Sequence, residues 1–429
     1  MRAALWFLGL FGVAVAIALF AGNNQGTITV FWPPYRVDLS LNLVLLLLAL
    51  VFVTLHVALR ALSALFAMPG HARSWRIAHQ ERAMHIALLD ALSHLVAGRF
   101  IRARKAAEGV LARETAMTRS GEILSYSGRL RALSHLLAAE SAQSLQDKTG
   151  REEHFRLALE QAARHDAQGA REGVQLRAAR WALEDRDPQA SLEWIDEMPQ
   201  GASRRTIALR LRLKAARMAR KTQLALETAR LLAKHRAFSE VAAQGILRGL
   251  ALELVSTAHD PDQLQTVWHQ LDTAERLMPE VAIEASNRMI KLAGDVDVAR
   301  LWLLPIWERM VAQPGVLTDG QRLQLIRALE SSFSLASEAP DAAWLTRIEK
   351  AQMANPGDAA MQYLAGISCM RLQLWGKAQQ LLKQALPRLQ DASLERSAWQ
   401  ALAEMADRRG DAAASAQAWQ KAAKSISRT

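Results

Sequence analysis

From Ala3 to Ala21 the chain carries no charged side chain, and Leu39 to Leu59 is a second uncharged stretch, interrupted mainly by Asn42, Thr54 and His56. Each matches the ~20 apolar residues a helix needs to cross a bilayer. Inside lipid every backbone N–H and C=O has to be satisfied within its own segment, so both stretches are read as helices. Gly9 and Gly12 offer the first one a face for close helix packing. Between the two, apolar and polar positions alternate through Thr27-Ile28-Thr29-Val30-Phe31, stop at Pro33-Pro34 and resume at Tyr35-Arg36-Val37. This predicts a small strand-turn-strand element, with Trp32 and Tyr35 alternatively serving as interfacial aromatic anchors.

A cleaved signal peptide is the rival reading of the first stretch. It has a basic start at Arg2, but Phe20-Ala21-Gly22 lacks a small-x-small cleavage site, and a second span follows at once. The expectation is therefore a two-span hairpin. Its loop carries Arg36 offset by Asp38, whereas Arg60, Arg73, Arg76 and Arg82 follow the second span. The positive-inside rule then places both ends of the hairpin in the cytoplasm and the loop in the periplasm.

Beyond the hairpin the apolar period becomes helical and repeats. Trp399-x2-Leu402-Ala403-x2-Ala406 is followed by Gly410, Ser415, Trp419 and Ala422. Small residues fall where two antiparallel helices cross, with Gly at the turn and large residues between, the pattern of a tetratricopeptide unit of about 34 residues. Gly366, Ala378, Leu382 and Ala385 repeat it, and Trp344, Ile348 and Ala351 lead to a stop at Asn355-Pro356. Earlier units are degenerate. A first helix around Ile86 to Val96 precedes Gly98, Ala103, Ala107 and Val110; Trp181, Ala190 and Trp194 mark another pair; Ala216, Ala225 and Ala229 one more; Gly294, Ala299 and Leu303 a further one, starting at Asp295-Val296-Asp297. Core packing is the expected role of all these Trp, Leu and Ala residues. The fold class expected is all-α, a two-helix transmembrane hairpin followed by a tetratricopeptide-like α-solenoid. No helix pair of such an array buries its apolar face alone, so neighbours stack and leave an extended binding surface.

Composition narrows the function classes. The 429 residues are too many for one ordinary core. The net charge of +11 arises from 53 basic residues scattered among 42 acidic ones, with no Lys/Arg run forming an arm. A solvated, membrane-adjacent basic surface is expected, and no nucleic-acid partner. The single cysteine, Cys369, excludes a disulfide framework and Cys-pair metal sites, and reads as a small buried hydrophobe.

Catalytic chemistry has little to stand on. There is no G-x-G-x-x-G after a strand, no P-loop, no H-E-x-x-H and no G-x-S-x-G. Paired carboxylates such as Glu152-Glu153 fall on polar helix faces. The expectation is no catalytic residue, no metal site and no cofactor. The weak candidates for holding a haem or metal are His71, His79, His85 and His94, in the segment leaving the membrane. None shares the i, i+4 spacing that puts two on one helix face, and solvated or packing histidines are the favoured reading.

The order of parts resembles the HemY family. The two spans, Arg73-Ser74-Trp75 after them, and the helix pair ending in Gly98-x4-Ala103 are similar to its N-terminal domain. Asn355-Pro356, Leu364-Ala365-Gly366 and Leu374-Trp375-Gly376-Lys377-Ala378 resemble its C-terminal repeats. A flavin-dependent protoporphyrinogen oxidase shares the HemY name, but the missing dinucleotide fingerprint separates this chain from it. The resemblance implies a transmembrane hairpin over 1–66, a HemY-type helical domain with degenerate repeats over 67–340 and C-terminal tetratricopeptide repeats over 341–429. It also implies an inner-membrane protein with a cytoplasmic array, a non-enzymatic scaffold associated with a late step of protohaem biosynthesis. Its partners would be the lipid bilayer and proteins, haem-biosynthesis enzymes among them. Two alternatives stay open: a direct binder of, or enzyme on, porphyrin or haem, using residues near His71 to His94, and an envelope quality-control adaptor for client proteins.

Overall fold

The computed structural model describes residues 26–334 and 342–425, with residues 9, 11–15, 17, 18 and 22 of the first apolar stretch; for residues 64–72 and 334 the backbone alone is described. The first expected span, Ala3–Ala21, thus falls largely outside the described residues. Two compact units are present, Met1–Arg171 and Glu172–Thr429.

In the first unit, β1 (Thr27–Trp32) and β2 (Tyr35–Ser40) pair antiparallel, with Thr27 opposite Ser40 and Trp32 opposite Tyr35. The strand-turn-strand read from alternation is therefore present, and Thr29 Oγ1 donates across it to Asp38 at 2.5 Å. Ser40 then caps helix α1 (Leu41–Val96), its hydroxyl accepting from the Leu43 N–H. Residues Leu41–Ser63 of α1 have a mean hydropathy of 2.6 and are wholly unburied. Among the described residues this is the one helix long and apolar enough to span a membrane. Its hydroxyl at Thr54 donates back to the Leu50 carbonyl at 2.9 Å, so this polar interruption is satisfied within the helix.

A separate helix was expected near Ile86 to Val96. Instead α1 runs 56 residues without a break, through Pro69-Gly70, a length of about 84 Å at 1.5 Å per residue. A proline removes one backbone bond, but helix propagation is cooperative, and strongly helical segments on both sides carry the helix across.

The end of α1 packs on α2 (Phe100–Arg119), which packs on α3 (Ser127–Ser144), which pairs with α4 (Lys148–Ala162). Ala91, Ala107 and Ala138 are fully buried together, one from each of α1, α2 and α3. Alanine there lets three backbones approach closely, while Met84, Val110, Met117 and Leu130 fill the adjacent layer.

The unit boundary falls in the first turn of α5 (Gln168–Glu184). Helices α6 (Pro188–Asp196), α7 (Thr206–Met218), α8 (Thr222–Lys234) and α9 (Glu240–Ser256) follow. Next come α10 (Pro261–Gln270), α11 (Pro279–Lys291), α12 (Val296–Ala312) and α13 (Asp319–Ser334). The C-terminal end holds α14 (Ala342–Ala354), α15 (Ala359–Arg371), α16 (Trp375–Ala385), α17 (Ala392–Arg408) and α18 (Ala412–Lys424). One continuous apolar core runs from Leu209 to Ala418.

One turn geometry recurs between paired helices. Gly98, Gln146, Arg186, Arg220, Gln373 and Gly410 all take positive φ, between 55° and 75°. In each case the next residue's N–H donates to a carbonyl five positions back, at 2.8–3.0 Å: Arg99 to His94, Asp147 to Ala142, Asp187 to Ala182, Lys221 to Ala216, Leu374 to Cys369 and Asp411 to Ala406. This is the Schellman closure of a helix C-terminus. At Asp147, Asp187 and Asp411 the same residue then caps the next helix, its carboxylate accepting from the N–H three residues on. One tetratricopeptide period separates Arg186 from Arg220.

The small-residue positions behave as the spacing predicts. Trp344, Ile348 and Ala351 are the buried residues of α14, and Ala378, Leu382 and Ala385 those of α16. Gly366 lies so near α16 that a methyl group there would stand 2.7 Å from Leu382 Cγ. Trp419 departs from its expected core role. It is 43% exposed, and its indole N–H faces Asp407 at 3.4 Å.

Candidate functional site

The four histidines proposed as ligands all lie on α1, and the three whose side chains are described do not converge. His71 lies in the backbone-only segment. His79 stacks on Trp75, with ring centroids 5.4 Å apart. His85 stacks on Tyr126 of the segment leading into α3, at 5.6 Å. His94 is half-buried in the last turn, about 22 Å along the helix from His79 at 1.5 Å per residue. Tyr126 is tied to α1 by a hydrogen bond to Glu81; burial first, then that carboxylate, push its hydroxyl up to about 12. Among the described residues no group of three or more His, Cys, Asp or Glu side chains is placed to hold a metal ion.

The histidines that do meet were not singled out by sequence. His135 on α3 and His154 on α4 face each other with Nδ1 atoms 3.1 Å apart, and His154 Nε2 lies 3.7 Å from Glu108. They are 19 positions apart, and only the register of the α3–α4 hairpin brings them together.

Several buried ionisable groups of the second unit have partners in place. The Tyr363 hydroxyl donates to Glu330 at 2.5 Å. Burial raises the Glu330 carboxyl above the ordinary range, partly offset by bonds from Tyr363 and Ser397. Tyr363 is fully buried, so the pair ties α13 to α15 away from any reactant. Glu275, 2% exposed, receives Arg230 at both carboxylate oxygens, at 2.9 and 2.6 Å. Cys369 is buried, with its thiol pushed up to about 11 by burial and then by the Glu349 carboxylate, an inert setting for a nucleophile.

Two clefts open between the C-terminal pairs. One, of about 550 Å³, is lined by Asp319, Arg322, Asn355, Asp358 and Arg388. Its main charges are matched, Arg322 to Asp358 at 2.6 Å, and the neighbouring Arg327 holds Asp391 at 2.6 Å. The other, of about 650 Å³, lies among α16, α17 and α18, with Leu402, Ala406 and Ala418 at its base and Lys383, Arg409 and Lys421 around it. Lys421 Nζ stands 4.4 Å over the Trp399 ring, so this repeat tryptophan forms a cleft wall as well as packing. Neither cleft brings together a nucleophile and a base.

Residues 26–146 match the family model described as the HemY protein N-terminus, covering the β-hairpin, α1, α2 and α3. No curated protein matches the chain. Similar solved structures include an APC/C hetero-tetramer of Cut9 and Hcn1, at 13% identity and TM-score 0.25, over 79% of this chain and 66% of that one. The P58(IPK) TPR domain has 13% identity and TM-score 0.22, over 81% of this chain and 99% of that one. Naa15/Naa10 bound to HypK-THB has 11% identity and TM-score 0.23, over 76% of this chain and 57% of that one. Through the segment that joins the β-hairpin, the apolar helix and the next two helices, this chain carries a domain that matches the HemY N-terminus.

Proposed function

We propose that the chain is a non-enzymatic scaffold, held at the inner membrane and associated with a late step of protohaem biosynthesis. There it organises pathway enzymes or the transfer of porphyrin between them. The observation that carries this reading is α1 itself: an exposed apolar span continues without a break into the first packed helix of a HemY-type array. The tether and the first packed helix of the array are thereby one continuous helix. Porphyrins are apolar and photoreactive, so passing them beside the membrane within an assembly has a physical rationale.

In this reading residues 1–66 are a two-span hairpin, with β1–β2 in the periplasm and the array in the cytoplasm. The support is the excess of Arg after Ser63 over the balanced Arg36 and Asp38 of the hairpin, which lie 3.4 Å apart. Photo-crosslinking in cells from positions lining the 650 Å³ cleft, such as Gln417, tests the partner class. Crosslinks to enzymes of the porphyrin pathway are expected. Crosslinks confined to unrelated envelope clients would replace this reading with the adaptor one.

A further inference from the structure

The second unit carries a basic groove along α7. Its ridge is the outer face of α7, where Ile207, Arg210, Lys214 and Arg217 follow one another at i, i+3, i+7 and i+10 on one helical stripe. Clefts open on both sides of this ridge and share Arg210 and Lys214. One, of about 480 Å³, is bounded on α5 by Arg177 and Arg180 and floored by Leu176 and Leu183. The other, of about 500 Å³, is floored by Leu213 and Phe238 and edged by Arg217 and Met218. Five cations line the two clefts against one carboxylate, Glu184, which Arg180 already engages at 3.0 Å. Arg210 reaches only the Ala237 carbonyl, and among the described residues no carboxylate pairs with Lys214 or Arg217. Two neighbouring cations are matched: Arg212 on α7 to Asp196 at 2.7 Å, and Arg205, just before α7, to Glu172 at 2.9 Å.

We infer that this groove docks an acidic amphipathic helical segment of a partner protein, with apolar side chains entering the clefts and Asp or Glu residues meeting the ridge. Charge complementarity sets the sign of the partner. The recessed floor sets its shape: Leu183 and Leu213 are buried beneath a basic rim, where the side chains of a helix enter but a flat bilayer surface does not. A small free anion would need the cations but not the apolar floor. Ile207, 57% exposed beside Arg210, is the apolar anchor on the ridge. Both α5 and α7 are first helices of their pairs, since each ends in a Schellman turn leading to a second helix, so the groove lies between successive repeats. The inference rests on the array acting as a protein-docking scaffold.

The test uses the full chain in phosphatidylcholine nanodiscs and a labelled helical peptide repeating Leu-Glu-Glu-Leu-Leu-Glu-Glu, read by fluorescence anisotropy. The peptide should bind, with an affinity that falls as salt rises. The Lys-for-Glu peptide and a scrambled one should not. Lys214→Gln with Arg217→Gln should weaken binding at least tenfold, while Arg212→Gln, the loss of one charge at a paired position, should leave it unchanged. Both positions of the double variant are exposed, and an unshifted melting temperature confirms its fold. Equal binding of all three peptides, or no loss in the double variant, overturns the inference. So does loss of phosphatidylglycerol-vesicle binding in the double variant when the acidic peptide fails to bind, which reassigns the groove to a membrane surface. Failure of peptide binding while pathway enzymes still crosslink elsewhere removes this groove alone and leaves the scaffold reading standing.

Discussion

His135 and His154 face each other across the α3–α4 hairpin with their Nδ1 atoms 3.1 Å apart, and one ring must be neutral at Nδ1 for the other to donate to it. Burial first, then His154 and Arg131, push His135 down to about 4 from an ordinary 6.5. Glu108 and Asp147 stand on the His154 side and do not reverse this. Because the folded value is depressed, the unfolded chain binds more protons between pH 6.5 and 4, and stability falls as pH drops through that window. The shift bounds the loss at about 3 kcal/mol. Urea unfolding of the full chain in neutral detergent should therefore show His135→Gln losing about 1–3 kcal/mol less than the parent chain between pH 7 and 4.5. Parallel losses would show that the pair does not carry the effect.

Gly366 and Gly376 separate packing from propensity. A methyl group at Gly366 meets Leu382 Cγ at 2.7 Å and the Leu382 backbone nitrogen at 3.3 Å, so α15 and α16 would have to part. Gly366→Ala should destabilise by about 1–3 kcal/mol. Nothing lies within 4 Å of a methyl group at Gly376, and Gly376→Ala should be neutral or stabilising by up to about 1 kcal/mol. Chemical denaturation reads both, and equal effects would contradict the close crossing.

The recurring turn predicts opposite signs at equivalent positions. Gly410, at φ 75°, has the left-handed conformation that glycine adopts freely; Arg186 holds the same conformation at φ 62° with a side chain present. Gly410→Ala should lower stability by about 1 kcal/mol, and Arg186→Gly should leave it unchanged or raise it by a similar amount. A loss in Arg186→Gly comparable to that of Gly410→Ala would argue that the Arg186 side chain contributes more than the turn.

How much of this was legible in sequence follows from what each signal measures. The Trp399 to Ala422 pattern is local, and it located α17, the Gly410 turn and α18. Alternation around Pro33-Pro34 likewise located β1 and β2. The turns at Gln146, Arg186 and Gln373 were harder, since a polar non-glycine residue carries no mark of positive φ. The continuity of α1 was hidden by Pro69-Gly70, which reads locally as a stop. Sites formed across helices were the least visible. The His135–His154 pair and the Arg210–Lys214 ridge beside Arg177 and Arg180 depend on hairpin register and repeat stacking, which one chain's periodicity does not fix.

Arg230 and Glu275 provide a test of how the array is tied between α8 and the segment before α11. Glu275 is buried and also accepts from the Asp272 N–H at 2.9 Å. Arg230→Leu leaves that carboxylate without its counter-ion and should destabilise by about 3–5 kcal/mol. Arg230→Leu combined with Glu275→Leu should recover much of the loss. A double-mutant cycle with no coupling would contradict the pairing.

The central claim is that a membrane tether and a helical array act as one scaffold in protohaem formation. The most direct measurement quantifies haem and free porphyrins in a deletion strain carrying either the full chain or a version lacking residues 1–63. The account predicts porphyrin accumulation in the deletion strain and recovery with the full chain. It also predicts continued accumulation with the untethered array, although that version is present in the cytosol. Normal haem without porphyrin accumulation in the deletion strain, or full recovery by the untethered array, would contradict it.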